Sequence, residues 1–479
     1  MLLSALPFEL LYKIASLLGQ REQHNLRLVS KKFCCVATPL VFEIVSISLT
    51  KSLSYRKSLA FLKALKTRTD LAQHVQDLNI YGSFGQPYEN ESLWHAITNG
   101  RGRDIRLNGK RLLEAIPSLV SLRSLHFYRF HPRELSPSSV DSIMHALSKL
   151  PLLSDLTIHF PEFHTSPVQD SYSEFHDLEH ISFGGLHMLD VIPPLVARSP
   201  NVTRLAVFLE LNPEAPAPAS SIFSGLPKGK YSRVQKLVIN GAAILPAQDV
   251  SSIVPHLHHL TSLSICISDV APEFWSALRI ETICLQVLFV NIVNDALLEY
   301  LASYSGVKSM TFIPKEPFNP GHVGISSRFW DEILPRHADT LLTLIVCPGF
   351  ERSGGWCLHT RSLDAIRKCT HLETLSVQLD RETFKGEDKT NIISQSLSHL
   401  PEWPCLNVLH FSFVITGVTY VGPCHFSESV ESVVLAFRCT KPAESTLHLR
   451  LSTDRVNNYR LSRRNSDAEV YSFEKVREY

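Results

Sequence analysis

The feature that most constrains this chain is a short apolar phrase that returns along most of its length. The phrase has the form apolar-x-x-apolar-x-apolar, as in Leu153, Leu156 and Ile158. Its second half predicts a β-strand, because side chains two residues apart in a strand point to the same face. A chain with so many similar strands must repeat one structural unit, since a single core does not grow in this way.

The copies of the phrase are spaced like the units of a repeat protein. They are Val75-Leu78-Ile80, Leu122-Leu125-Phe127, Leu153-Leu156-Ile158, Leu178-Ile181-Phe183, Val202-Leu205-Val207, Val234-Leu237-Ile239, Leu260-Leu263-Ile265, Leu285-Leu288-Val290, Val307-Met310-Phe312, Leu341-Leu344-Val346, Leu372-Leu375-Val377, Leu406-Leu409-Phe411 and Val430-Val433-Leu435. After a first gap of 47 residues, their central residues lie 22 to 34 residues apart. Helix-like segments lie between them, at 140–147, 249–254, 296–301 and 363–368. Strand and helix alternating in this way predict a parallel sheet with right-handed crossovers, stacked as a solenoid.

Burial explains why such units must stack. The apolar residues of each strand face the helix layer, and one unit alone has nothing to cover them. The intervening side chains then face the open surface of the sheet. Aromatic and amide groups among them suit protein recognition. The candidate partner-binding residues are His126, Tyr128, His159, Phe208, Asn240, Asn291, Gln378 and His410.

A different pattern occupies the first forty residues. Pro7 is suited to the start of a helix, and Leu10, Leu11 and Ile14 then recur at helical spacing. A second apolar set follows from Leu26 onward. A unit this small has too little interior to bury all these side chains, so the excess is expected to meet a partner.

The ordered string Leu6-Pro7-x-Glu9-Leu10-Leu11-x-x-Ile14, Leu17-Leu18 and Leu26-Arg27-Leu28-Val29-Ser30-Lys31-x-Phe33 resembles the F-box motif, in the form found at the N-terminus of many fungal F-box proteins. The resemblance implies a three-helix domain that docks on a Skp-type adaptor, which links it to a cullin–RING ubiquitin ligase. Aligned to the motif, the adaptor-binding residues are Leu6, Pro7, Leu10, Ile14, Leu17, Leu26 and Val29. Some of these must instead hold the helices together, and the sequence does not sort the two groups. At Gln23 the family usually has an apolar residue.

The remaining chain resembles the divergent leucine-rich-repeat domains found behind many F-boxes, although the Asn or Cys that usually follows the strand phrase is mostly absent. The expected fold is therefore α/β: a three-helix F-box, then a right-handed leucine-rich-repeat horseshoe with a parallel sheet. The predicted boundaries are 1–45 for the F-box, 46–452 for the solenoid and 453–479 for a charged tail or cap.

Local signals refine this outline. Pro39 is expected to end the last F-box helix, with an alternating strand of Phe42, Ile44 and Ile47 after it. A helix is expected over Tyr55 to Lys66. Three inserts, 83–110, 212–230 and 348–360, are interpreted as exposed loops.

Composition excludes several classes of function. A net charge of +1 argues against a general phosphate-backbone binder. No apolar run approaches the roughly 20 residues that span a bilayer. Ten scattered cysteines, several inside apolar runs, are typical of reduced thiols and favour the cytoplasm or nucleus. We find no C-x-x-C pair, H-E-x-x-H, G-x-S-x-G or Walker motif, so no metal, cofactor or enzyme activity is expected.

Two functions from different classes are the main hypotheses, and an enzyme, which no motif supports, stands third. The leading hypothesis is a substrate receptor of a Skp–cullin–F-box ubiquitin ligase, in which the repeats bind a protein substrate. The alternative is a ligase-independent repeat scaffold that binds protein, its first helices serving only as the N-terminal cap of the solenoid.

Overall fold

The computed structural model describes residues 6–48, 53–81, 109–128, 137–160, 172, 174–185, 188–209, 217–313, 322–348, 355–379, 392–413, 431–437, 447–452, 456–463 and 471–476. The chain divides into two compact units, Met1–Ala242 and Ala243–Tyr479.

Three helices open the first unit: α1 (Phe8–Ser16), α2 (Gln20–Leu26) and α3 (Lys31–Glu43). The Ser30 side chain caps α3 by accepting a hydrogen bond from the Phe33 amide. The small core of these helices consists of Leu11, Ala15 and Val36. Leu6, Leu26, Phe33 and Leu40 pack around it.

The expected end of α3 at Pro39 is wrong, because the helix continues through the proline to Glu43. A proline removes one helical hydrogen bond, but the turns around it bury Val36, Ala37 and Val41. Phe42 is therefore helical. The strand that follows buries Val45 and Ile47 and exposes Ile44.

The first unit contains a parallel sheet. Its strands are β1 (Ile44–Ser48), β2 (Asp77–Tyr81), β3 (Ser124–Tyr128), β4 (Asp155–Phe160), β5 (His180–Gly185), β6 (Arg204–Leu209) and β8 (Lys236–Gly241), while the short β7 (Ala217–Pro218) lies outside this sheet. Except for the two-residue β7, each pairs in parallel with the next in chain order. The register places the central residues of the phrases side by side. These are Leu78, Leu125, Leu156, Ile181, Leu205 and Leu237.

Helices accompany these strands. They are α4 (Leu53–Thr67), α5 (Thr69–Ala72), Pro137–Ser148 and Met188–Arg198, and residues 109–115 are also helical. The expected helix over Tyr55 to Lys66 lies within α4. Apolar side chains from the helices, such as Leu62, Ile143 and Leu195, are buried together with the central residues of the strands.

The second unit repeats the same plan. Its strands are β9 (Ala243–Leu245), β10 (Ser262–Cys266), β11 (Asp269–Val270), β12 (Val287–Val290), β13 (Ser309–Phe312), β14 (Thr343–Val346), β15 (Thr374–Leu379), β16 (Val408–Phe413), β17 (His448–Ser452), β18 (Val456–Arg463) and β19 (Tyr471–Val476). Strands β10 and β12 to β17 pair in parallel in chain order, while β11 pairs with β9. The helices include Ala247–Ile253, Pro272–Ile280, Asp295–Ala302, His322–Arg328, Leu334–His337, Thr360–Ile366 and Ile392–Ser398. The predicted fold of an N-terminal helical domain followed by α/β repeats with parallel strands is confirmed.

The last predicted phrase is wrong. Residues 431–436 are helical, and Val434, which the phrase does not include, is the buried residue. A short apolar run satisfies helical and strand periods equally well, so spacing alone did not separate them. Sequence reasoning also missed β17, the strand that pairs with β16, which buries Leu449 and Leu451.

The segment predicted as a charged tail or cap carries two strands. β18 pairs antiparallel with β17, and β19 pairs antiparallel with β18. The change from parallel to antiparallel pairing ends the repeat pattern and covers the open edge of β17.

Two of the three predicted loops contain buried structure. Ala219–Phe223 form a 3₁₀ turn whose Ile222 is buried. Trp356 is buried against Phe329 and Trp330. Burial of this large aromatic side chain stabilises the segment more than the preceding glycines favour an exposed loop. The first insert lies outside the described residues except for its last two positions, which are helical.

Membrane-spanning helices and metal-binding clusters are both absent from the part of the chain that the structure describes. None of the described helices combines the length and apolarity needed to cross a bilayer. The same residues contain no group of three or more His, Cys, Asp or Glu side chains placed to hold a metal ion.

Candidate protein-interaction surfaces

Exposed apolar side chains are concentrated on the N-terminal helices. Among the described residues, eight of the exposed large hydrophobic side chains lie between Phe8 and Val29, and nine lie in all the rest of the chain. Leu17 and Leu28 are 82% and 85% exposed. Contiguous exposed apolar surface is characteristic of a site that another protein covers.

The geometry of α1 explains this exposure. Leu11 and Ala15 turn inward to the small core, whereas Leu10, Ile14 and Leu17 follow one another at i, i+4 and i+7 along a neighbouring line. The apolar arc of the helix is therefore wider than the core can cover. We call Leu10, Ile14 and Leu17 the α1 stripe.

The structure sorts the candidate adaptor-binding residues. Leu6 and Leu26 are partly buried against the internal core, where they help to hold the three helices together. Pro7, Val29 and the α1 stripe are exposed. Exposed apolar residues that the prediction omitted are Phe8, Tyr12, Leu18 and Leu28. Periodicity could not separate the groups, because the inward line of α1 depends on where α3 packs.

Gln23, the departure from the family pattern, has a structural role within the helices. Its side-chain amide donates hydrogen bonds to the carbonyls of Ala15, at 3.2 Å, and Leu18, at 3.0 Å. Ala15 lies in the last turn of α1 and its carbonyl also accepts from the Leu18 amide, whereas Leu18 follows the end of the helix. The polar side chain at this position therefore joins α1 to α2.

The three helices are also attached to the first repeat. The rings of Phe42 in α3 and Phe61 in α4 stack with centroids 6.0 Å apart. The Arg27 guanidinium lies 4.9 Å from the centroid of the Phe42 ring. This contact involves α3, and it leaves the α1 stripe uncovered.

The second surface is the face of the sheet opposite the buried phrase residues, on strands β2 to β8. Near the C-terminal ends of these strands lies a row of rings, which we call the aromatic row. It consists of Tyr81, Tyr128, His159 and Phe208, which lie in one register on β2, β3, β4 and β6. Successive ring centroids are 5.3, 6.1 and 4.8 Å apart.

Gly184 on β5 makes the last contact of this row possible. It is the register partner of both His159 and Phe208, and a Cβ placed there would lie 3.2 Å from each of these side chains. The row therefore continues across the strand that lacks a side chain, and Asn240 on β8 follows Phe208 in the same register. Of the predicted partner-binding residues, the structure brings Tyr128, His159, Phe208 and Asn240 into one line.

Four residues earlier on each strand lies a second line, which we call the charged row. Its members are Asp77, Ser124, Asp155, His180, Arg204 and Lys236. Between the two rows lie the small, buried side chains of Thr157, Ser182 and Ala206. Sequence reasoning did not select the charged row, although its residues recur at a fixed position immediately before the central residue of each phrase.

Polar contacts organise this face. His180 Nδ1 lies 2.9 Å from the Asp155 carboxylate, and His126 Nε2 lies 2.8 Å from Ser124 Oγ. Burial lowers the pKa of His126. Burial also raises the pKa of Asp77; His126 opposes this shift and Asp155 adds to it. The predicted candidate His126 is thus a half-buried member of a polar network beside the aromatic row.

Three predicted candidates lie in the second unit, and two of them are corrected. Asn291 is 4% exposed, and its amide is bonded to the backbone of Ile267. Gln378 is 3% exposed. Neither offers surface to a partner. His410 is half-buried between Ser376 Oγ and Ser452 Oγ, each 2.8 Å from one of its ring nitrogens.

Together these features define a class of protein: a small helical domain with uncovered apolar surface, followed by parallel α/β repeats. The family model of the F-box domain matches residues 3–43, so the chain carries an F-box domain at its N-terminus. The matched segment ends where α3 ends, at Glu43.

Two further comparisons concern the whole chain. No curated protein matches its sequence. Among solved structures, an internalin from Listeria monocytogenes is similar, with 12% identity over 75% of this chain and 81% of the internalin, at a TM-score of 0.32.

Proposed function

We propose that this protein is the substrate-recognition subunit of a Skp–cullin–F-box ubiquitin ligase. The F-box domain would bind a Skp-type adaptor, and the repeats would bind the protein to be ubiquitylated. The bond-forming step would belong to other subunits, in the cytoplasm or nucleus. The observation that carries the proposal is the uncovered apolar surface of an F-box domain, with the α1 stripe at its centre.

Burial of this surface would provide the binding energy. Leu10 and Ile14 are 49% and 42% exposed, and Leu17 is almost fully exposed. Complete burial of a leucine or isoleucine side chain contributes about 1.5 to 3 kcal/mol, so partial burial of three such residues contributes several kcal/mol. A carboxylate placed in the same contact would have to lose its hydration without a partner.

The test is co-purification of the full chain with a Skp-type adaptor. We expect the wild-type protein to retain the adaptor and the double variant Leu10→Asp/Ile14→Asp to lose it, by at least about a hundredfold in Kd because two aspartates are desolvated. Both positions are exposed, so the variant should fold.

A matched control places the same substitutions on exposed apolar residues elsewhere. Val120→Asp/Ile280→Asp changes side chains that are 51% and 73% exposed. This control should keep the adaptor. Failure of the wild-type protein to retain the adaptor, or equal retention by the two double variants, would remove the main support for a ligase subunit.

The alternative, a ligase-independent protein-binding scaffold, is favoured by one observation. The Phe42–Phe61 stack attaches the N-terminal helices to the first repeat, as a terminal cap would be attached. On this alternative, Phe42→Ala would destabilise the repeats, and the α1 stripe could be made polar without loss of any partner.

A further inference from the structure

The charged row on β2 to β8 is polarised along its length. Its β2–β4 end carries Asp77 and Asp155, and its β6–β8 end carries Arg204 and Lys236. Within the described part of the chain, no lysine or arginine forms an ion pair with either carboxylate, and neither Arg204 nor Lys236 has an acidic partner. Asp155 is contacted by His180, whose Nδ1 lies 2.9 Å from its carboxylate, whereas Asp77, Arg204 and Lys236 form no ion pair within the described residues and can pair with another molecule.

The acidic end is also partly desolvated. Asp77 and Asp155 lie on β2 and β4, separated by Ser124 on β3, and the side chain of Asp155 is 26% exposed. Repulsion from Asp155 contributes to the raised pKa of Asp77, so the pair would be stabilised by a cation.

The dimensions of the face fit an extended polypeptide. The charged and aromatic rows are four residues apart along each strand, about 13 Å, with the small buried side chains of Thr157, Ser182 and Ala206 between them. A segment lying over these small residues would direct alternate side chains to the two rows. The acidic and basic ends are about three and a half strand spacings apart, roughly 17 Å, which four to six extended residues span.

We propose that this face binds an extended protein segment with a basic side chain over Asp77 and Asp155, an acidic side chain over Arg204 and Lys236, and apolar side chains against the aromatic row. The inference rests on the proposed function, since the segment would belong to the protein to be ubiquitylated. A nucleic-acid strand does not fit, because its phosphates would meet the two carboxylates.

The test uses the full chain with its adaptor and four pools of short, fluorescent, acetylated and amidated peptides. Each pool carries apolar residues at alternate positions and two fixed residues about four or six positions apart. The fixed pairs are Arg/Glu, Arg/Arg, Glu/Glu and Gln/Gln. Fluorescence anisotropy should show the Arg/Glu pool binding about five- to tenfold more tightly than each of the others, as expected for two partly exposed ion pairs.

A charge reversal makes the test independent of folding. Arg204→Glu/Lys236→Glu should change the preferred pool from Arg/Glu to Arg/Arg, which a merely unfolded protein could not do. The control Lys228→Glu/Lys230→Glu makes the same change of charge at two exposed lysines that are not members of the row and should keep the Arg/Glu preference.

Each outcome decides the inference. Equal binding of all four pools, an unchanged preference after charge reversal, or a signal that arises from self-association in sedimentation would overturn it. Adaptor retention is measured in the same samples. If the adaptor is lost while the pool preference holds, the ligase proposal fails and the proposed binding surface stands. If the adaptor is kept and no pool is preferred, the proposed binding surface fails and the ligase proposal stands.

Discussion

Replacing Asn291 by alanine should destabilise the second unit, although this residue resembles a surface amide in the sequence. Its Oδ1 accepts a hydrogen bond from the Ile267 amide at 3.1 Å, and its Nδ2 donates to the Ile267 carbonyl at 2.8 Å. Both residues are buried. The side chain therefore supplies what a neighbouring strand would otherwise supply.

The size of the effect follows from this pairing. Alanine would leave the N–H and C=O of Ile267 buried without partners, and each such group costs about 1 to 3 kcal/mol. Some relaxation is expected, so we predict a loss of about 2 to 4 kcal/mol in the unfolding free energy of the second unit. Asn240→Ala is the matched control, because Asn240 is half-exposed at the end of β8. It should change stability by no more than about 0.5 kcal/mol.

Hydrogen exchange measured by mass spectrometry is the appropriate assay, since a chain with two units need not unfold in a single step. Asn291→Ala should accelerate exchange at the Ile267 amide and at the adjacent strand β10, while exchange in the first unit stays unchanged. Unaltered protection of Ile267, or equal effects of the two alanine variants, would refute the assignment of Asn291 as a buried backbone partner.

Two further predictions concern other polar side chains. Burial lowers the pKa of His337 to about 4, with Nδ1 accepting from the Val307 amide and Nε2 facing the Leu301 carbonyl. Because the unfolded histidine binds its proton near pH 6.5, the contribution of neutral His337 to the unfolding free energy is complete above that pH and falls by roughly 3 kcal/mol as the pH falls toward 4. In denaturation experiments across this range, the unfolding free energy of His337→Asn should depend less steeply on pH than that of the wild-type protein. Equal slopes would contradict the assignment. Gln23→Leu removes both hydrogen bonds at the end of α1. The free energy of local opening there should fall by about 1 kcal/mol, which speeds hydrogen exchange, while the adaptor is kept. Loss of the adaptor with unchanged exchange would contradict that role.

The repeat phrase predicted most of the fold. Twelve of its thirteen copies lie at parallel strands, because a central leucine such as Leu156 can be buried only if the next unit covers it. The exception, at Val433, shows the limit of local spacing. A run of this length is compatible with either period, and packing by Val434 decided the outcome.

The sequence predicted which face of the sheet is open better than it predicted which individual side chains are exposed there. Alternation identified the open face correctly for Tyr128 and Phe208, because a strand has only two faces. It failed for Asn291 and Gln378, which are buried despite their polar character. Exposure depends on what neighbouring segments cover, and alternation within one strand contains no information about that.

The sequence by itself determined the F-box, through its resemblance to the family motif, and the stacked α/β repeats, through the spacing of apolar residues that must be buried. Only the tertiary structure decided which apolar residues remain outside. Leu6 and Leu26 are partly buried because they pack on the core to which α3 contributes Val36, whereas the α1 stripe stays exposed. Strand register likewise brought Tyr81, His159 and Phe208 into one row, because residues far apart in the chain become neighbours only when the strands pair.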